Sequence, residues 1–235
     1  MKVAAVQITT SEDIDANYQL AVEKIREAAD NGAKLIVLPE ATMQAFATGR
    51  LDTNAQELDD DFASGLLDLA QELDVYVVAG MFRPADTVER EDKTIHRVYN
   101  TALVVGPDLL GGYDKIHTYD AFDYSESDTV KAGENIVTFK AGDLVVGVAV
   151  CYDIRFPDQF KELARNGAQV IVRPHQLGRW SGQARTVAFA DDRTRAGLHL
   201  LHRRCRSGTP RWQRKGRRTF RSYRCGPLRH REPAG

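Results

Sequence analysis

Long apolar runs are missing from this sequence. None approaches the roughly 20 residues that a membrane-spanning helix requires, which excludes a helical membrane protein. Cysteine is scarce. Cys151, Cys205 and Cys225 are the three it has, and they show no metal-ligand spacing, so no metal is expected and free thiols in a reducing compartment are. The start, Met1-Lys2-Val3-Ala4-Ala5-Val6, lacks the long apolar core and small-residue cleavage site of a signal peptide. The expected location is therefore cytoplasmic. No internal repeat is present, which excludes a solenoid. What is present is ordinary for a soluble globular chain: 235 residues, 43% of them hydrophobic, enough for one sizeable core.

The net charge of -1 conceals a division. Residues 1–172 hold 15 Lys and Arg against 30 Asp and Glu, and residues 173–235 hold 17 against 3, together the 32 and 33 of the whole chain. Two regions are expected on this ground, 1–172 and 173–235.

The first region alternates strand and helix signals. Val3 to Ile8 predicts a buried strand, and Leu20, Ala21, Ile25 and Ala28 fall at helical spacing within 17–29. Asn31-Gly32 stops that helix, and Lys34 to Leu38 predicts the next strand. A helix over 62–73 and strands over 75–81 and 99–105 follow, then turn signals at Gly106-Pro107 and Gly111-Gly112. A hairpin is expected from 136–139 and 144–150, a helix over 156–166 and a strand over 168–172. Strand–helix–strand units of this kind define an α/β protein with a parallel sheet, whose ligands gather at the C-terminal ends of strands.

Three segments carry chemistry. Leu35-Ile36-Val37-Leu38-Pro39-Glu40 sets a carboxylate at a strand end. Tyr113-Asp114-Lys115-Ile116-His117 starts an irregular segment. Val148-Ala149-Val150-Cys151-Tyr152-Asp153-Ile154-Arg155-Phe156-Pro157 runs a strand into a cysteine where the chain must turn. Such a turn can expose the sulfur and aim the next backbone N–H, that of Tyr152, at a developing oxyanion. Taken singly, Cys151 reads as a core thiol, Glu40 as a surface carboxylate and Lys115 as a solvated cation. His96 and His117 raise a Cys–His protease as an alternative. Cys151 lies too late in the chain for a papain-like order, and both histidines read as surface or packing residues. Tyr18, Phe46 and Trp180 also read as packing residues.

Taken together and in this order, the three segments resemble the Glu–Lys–Cys motifs of the nitrilase, or carbon–nitrogen hydrolase, superfamily over residues 1–172. Tyr124-Ser125-Glu126-Ser127-Asp128 with Ala132-Gly133 is similar to the family loop that carries a second glutamate, which maps onto Glu126. The resemblance implies a four-layer α-β-β-α sandwich, a homodimer, a small-molecule amide substrate and no cofactor. It implies hydrolysis of a non-peptide carbon–nitrogen bond through a Cys151 thioester. Glu40 would be the base, Lys115 and the Tyr152 N–H the oxyanion donors, and Glu126 a substrate-positioning residue. The motifs are nearer to amidases of small carboxylated amides, of the deaminated-glutathione amidase or ω-amidase type, than to true nitrilases. N-carbamoyl amino-acid hydrolysis is the neighbouring alternative.

The Arg-rich segment from about Arg173-Pro174 departs from the family. One reading is a basic arm for nucleic acid on an inactive core. The other is a shift of reading frame. Read one base later, permissible codons for His175 to Gly182 can give Thr-Ser-Trp-Gly-Asp-Gly-Pro, and those for Ala184 to His202 a helix followed by a strand. The second reading is preferred, and nucleic acid is not the expected partner. It implies a second sheet left incomplete, low stability and weakened or absent activity.

Overall fold

The computed structural model describes residues 1–121, 124–176 and the backbone of Leu201–His202. The chain opens with β1 (Val3–Ala5), α1 (Ile14–Asp30) and β2 (Leu35–Val37). The Asp13 carboxylate accepts the Ala16 N–H at 3.0 Å, so α1 starts at its cap, ahead of the first apolar repeat. Gly32 then takes a left-handed conformation (φ +80°) beyond Asn31. α2 (Asp61–Leu73), β3 (Tyr76–Arg90), β4 (Lys93–Gly106) and β5 (Leu109–Asp114) complete the first unit. These strands form one sheet in the order β1-β2-β3-β4-β5, parallel through β3 and antiparallel afterwards.

A short pair, β6 (Asp120–Ala121) and β7 (Tyr124–Ser125), leads into a 3-10 turn at Glu126–Asp128. The hairpin β8 (Thr138–Ala141) and β9 (Leu144–Val148) follows, turning at Gly142 (φ +55°). Then come α3 (Pro157–Arg165), β10 (Val170–Val172) and β11 (Leu201–His202). The second sheet has the order β11-β10-β9-β8, with β9 and β10 parallel and β11 antiparallel on the edge.

The period-2 alternation of the strands builds the layers. Ile36 and Leu38 join Ile25, Phe62 and Leu66 in the core beneath α1 and α2. Their neighbours Leu35 and Val37 face the other way, onto Phe139, Val146, Val148 and Val172 of the second sheet. The outer face of that sheet packs Ala149 and Ile171 on Leu163 of α3. The result is α1/α2, sheet, sheet, α3: the four-layer α-β-β-α sandwich. Each large aliphatic chain withdrawn from water contributes roughly 1.5–3 kcal/mol, and the face between the sheets is built almost wholly of such residues.

Two local expectations need correction. Gly111-Gly112 is not a turn but the middle of β5, opposite Leu103 and Val104, and the chain turns before Leu109. Gly112 is needed for closeness rather than bending, because a Cβ there would lie 2.8 Å from Thr101 Cγ2. Strands β3 and β4 also extend well past the predicted 75–81 and 99–105, forming an arm whose tip residues Glu91 and Asp92 have positive φ. Apart from β11, the expected loss of strands after residue 173 lies outside the described residues, as does Trp180. No helix among the described residues is long and apolar enough to cross a membrane.

Candidate active site

Three strand ends converge at one rim of the sandwich. Glu40 follows β2 across Leu38-Pro39, and its backbone is pressed against β3. A Cβ on Gly80 would fall 1.2 Å from the Glu40 carbonyl oxygen, so only glycine permits this approach. The Gly80 N–H donates to Pro39 O at 3.0 Å. Lys115 leaves β5, with its own N–H donating to Asn100 O at 2.9 Å. Gly133 packs on the same stretch: a Cβ there would meet Asp114 O at 2.2 Å, and its N–H donates to Lys115 O at 2.8 Å.

The side chains meet in a buried cluster. Glu40, Lys115 and Glu126 are each 2% exposed. Lys115 Nζ donates to Glu40 Oε1 at 3.1 Å and to Glu126 Oε1 and Oε2 at 3.1 and 2.8 Å. Glu126 Oε2 also accepts the Tyr119 N–H at 2.6 Å, and Glu40 Oε2 the Gln176 N–H at 3.0 Å. Burial alone would discharge Lys115. Glu40, Glu126 and Cys151 outweigh it and hold the ammonium well above its ordinary pKa.

Cys151 ends the run Val148-Ala149-Val150 and opens a 3-10 turn over Cys151–Arg155. It is a non-glycine residue in the left-handed region (φ +43°), a conformation that costs about 1–3 kcal/mol. The Cys151 N–H donates to Pro174 O at 2.9 Å, and the Cys151 carbonyl accepts from Arg173 Nη1 at 2.8 Å. The thiol pKa is held well above its ordinary value, by burial first and by Glu40 next, and Lys115 and Arg173 offset only part of that rise. The thiol therefore faces a carboxylate that can accept its proton and two cations that favour its anion. Tyr152 stands at the first step of this turn, its ring edge-on to Tyr119 at 4.9 Å.

Asp153 fixes the turn from within. It is fully buried and accepts the Val150 N–H at 2.7 Å, the Tyr113 hydroxyl at 2.7 Å and the His117 N–H at 3.1 Å. Its Oδ1 also lies 2.8 Å from His117 Nδ1. The His117 ring is stacked on Phe156 with centroids 3.6 Å apart. One carboxylate thus ties the Lys115 segment to the Cys151 turn, and His117 is a brace. His96 lies on the β3–β4 arm, with Nδ1 2.9 Å from Thr87 Oγ1. Tyr18 and Phe46 pack on Phe62 and Phe82, as their sequence suggested.

Two residues of the site were not singled out by sequence. Asn100 Nδ2 donates to both Glu40 Oε1 at 2.9 Å and Glu126 Oε1 at 3.0 Å, and its Oδ1 has no hydrogen-bond partner among the described residues. The available signal was an amide interrupting an otherwise apolar strand. Arg173, assigned by its composition to the basic segment, instead packs on the Cys151 backbone, and the core continues at least through Gln176. Among the described residues no group of three or more His, Cys, Asp or Glu is placed to hold a metal ion.

Two face-to-face sheets between helices, with the cluster at their strand ends, define the class: a nitrilase-type sandwich. Residues 2–192 match the carbon-nitrogen hydrolase family, and the chain belongs to that family of hydrolytic enzymes. The match runs past Val172 into the Arg-rich segment. Hydrolase Rv0480c of Mycobacterium tuberculosis is 39% identical over 200 residues, covering 80% of this chain and 68% of that protein. Omega-amidase NIT2 of Danio rerio is 32% identical over 190 residues, 78% of this chain and 66% of the relative. Among solved structures, Nit3 of Saccharomyces cerevisiae superposes with a TM-score of 0.62 at 27% identity, over 77% of this chain and 66% of that one. An amidase from Nesterenkonia sp. shares the fold (TM-score 0.61, 20% identity, 78% of this chain and 67% of that one).

Proposed function

We propose that this chain hydrolyses a small carboxylated amide to the acid and ammonia through a thioester on Cys151. The observation that carries the reading is a thiol on a left-handed turn beside a buried Glu40–Lys115–Glu126 cluster. A free thiol is only a few per cent ionised at neutral pH and needs a neighbouring base. Glu40 takes the proton as Sγ attacks the amide carbon. Lys115 and the Tyr152 N–H stabilise the oxyanion, each such donor contributing about 100- to 1000-fold in rate. The carbon–nitrogen bond breaks, Glu40 returns the proton to the nitrogen, and ammonia leaves. Water deprotonated by Glu40 then cleaves the thioester, releasing the acid and restoring the thiol. Glu126 holds Lys115 and borders the substrate.

The omega-amidase name of one group of relatives supports a carboxylated amide over a simple nitrile. An ammonia-release assay over carboxylated amides, uncharged amides and N-carbamoyl amino acids tests the substrate class. Preference for N-carbamoyl amino acids would replace this reading with its neighbour. Homodimerisation belongs to the same proposal and is read by light scattering on the purified chain. So does the shifted frame of the Arg-rich segment, whose re-read codons begin at His175, after Arg173-Pro174. Turnover should be weak in the chain as written and rise when the alternative frame is restored, and equal turnover in both would refute that part.

A further inference from the structure

Arg173 is an anomaly on physical grounds. The residue is 6% exposed, and among the described residues no carboxylate pairs with it and its buried Nε has no hydrogen-bond partner. A buried cation without a counter-ion is costly, yet this one is spent on a carbonyl, that of Cys151, at 2.8 Å. The adjacent Pro174 O takes the Cys151 N–H at 2.9 Å. One dipeptide therefore clamps both backbone polar groups of the one site residue whose φ is left-handed.

Charge counting gives the cation a second use. Glu40 and Glu126 bring two negative charges to the cluster and Lys115 one positive, so without Arg173 the site carries net negative charge before the thiol ionises. With Arg173 these four charges sum to zero; Asp153, the other carboxylate facing Arg173, is held separately by the Val150 N–H, the Tyr113 hydroxyl and the His117 N–H. Passing the thiol proton to Glu40 exchanges a carboxylate for a thiolate and leaves the sum unchanged.

We propose that Arg173 is a positioning residue for Cys151, holding the carbonyl of its strained turn and balancing the second glutamate so that the thiol ionises more readily than it would without the cation. The inference rests on the reading of Cys151 as the nucleophile. Burial draws the guanidinium pKa below its usual value while Cys151, Glu40 and Asp153 draw it back, and an arginine so placed stays protonated at neutral pH. A cation within about 4–6 Å moves the pKa of an acidic group down by roughly 1–3 units.

The test uses the full chain and its Arg173→Lys, Arg173→Gln and Arg173→Met variants. Iodoacetamide alkylation is followed from acid to alkaline pH and quantified on the Cys151 peptide by mass spectrometry, so that Cys205 and Cys225 do not count. Circular dichroism and thermal melting report the fold. The neutral Gln and Met variants should move the Cys151 profile up by about one pH unit, or about tenfold slower alkylation at any pH below the midpoint. Lys, which keeps the charge, should move it less. Folded Gln or Met variants with an unmoved profile overturn the proposal. So does loss of the fold in both neutral variants while Lys keeps fold and profile, because the charge then serves the fold rather than the thiol. A parent Cys151 that reacts no faster than Cys205 and Cys225, with a profile indifferent to Glu40→Gln, defeats the nucleophile reading itself. A reactive, Glu40-dependent Cys151 indifferent to Arg173 defeats only this inference.

Discussion

Replacing Lys115 by Met removes one charge from a cluster almost closed to solvent. Glu40 and Lys115 are each 2% exposed, and Glu126 no more than 3% by its side chain. The ammonium makes three of the hydrogen bonds that hold the two carboxylates. Without it both anions share Asn100 Nδ2 and two backbone N–H groups, those of Tyr119 and Gln176. Breaking a buried pair while leaving its partner charged costs about 3–5 kcal/mol. A domain is stable by about 5–15 kcal/mol in total, so Lys115→Met should lose roughly a fifth or more of its urea stability at neutral pH. Adding Glu126→Gln removes one stranded anion and should recover part of the loss. Stranded carboxylates have raised folded pKa values, so the deficit should be smallest below about pH 4, where both states are protonated, and grow towards neutrality. Urea melts by circular dichroism at pH 4 and pH 7 read this directly. A loss under about 1 kcal/mol at pH 7, the value of an exposed pair, would refute the buried-cluster reasoning, as would a loss independent of pH.

Other outcomes follow from the same geometry. Gly80→Ala sets a Cβ 1.2 Å from Glu40 O, where backbone must move, and should abolish turnover and lower the melting temperature. Gly111→Ala, with open space, should be tolerated, and equal behaviour of the two would contradict the close-approach argument. Asp153→Asn turns one acceptor oxygen into a donor facing other donors; it should cost about 1–3 kcal/mol and slow Cys151 alkylation, while an unchanged melt would count against Asp153 as the tie. Lys115 has a folded pKa raised above 10.5, so its stabilisation is complete below that pH and fades as pH rises through the higher folded value. Alkaline unfolding should begin above about pH 10.5 in the parent and be blunted in Lys115→Met.

The sandwich was legible where one physical signal ruled. Leu35, Ile36 and Val37 are buried on both faces and read as a strand by run, while Ala21 and Ile25 read as a helix by spacing. The β3–β4 arm was shortened because its stability comes from cross-strand pairs such as Arg97–Asp86 and Thr87–His96 rather than from an apolar stripe. Gly111-Gly112 misled because its glycines serve β5's approach to Thr101 rather than a reversal. The three motif residues stand out by order and strand-end position, and the structure brings them together. Asn100 does not stand out, since an amide in a strand shows its value only when Glu40 and Glu126, 60 and 26 residues away, arrive beside it. Arg173 was hidden by the arginines that follow it. Composition averages over neighbours, whereas its role depends on one carbonyl.

The most direct test is the site of acylation. A small carboxylated amide and its p-nitrophenyl ester are each mixed with the chain, quenched in acid and digested. Acylation requires only the described cluster, so it should proceed even where turnover is weak. An acyl group should appear on the Cys151 peptide, equal in mass to the substrate less ammonia or nitrophenol. It should be lost in Cys151→Ala and formed far more slowly in Glu40→Gln and Lys115→Met. Acylation at another residue, persistence in Cys151→Ala, or no acyl peptide from either donor would contradict it.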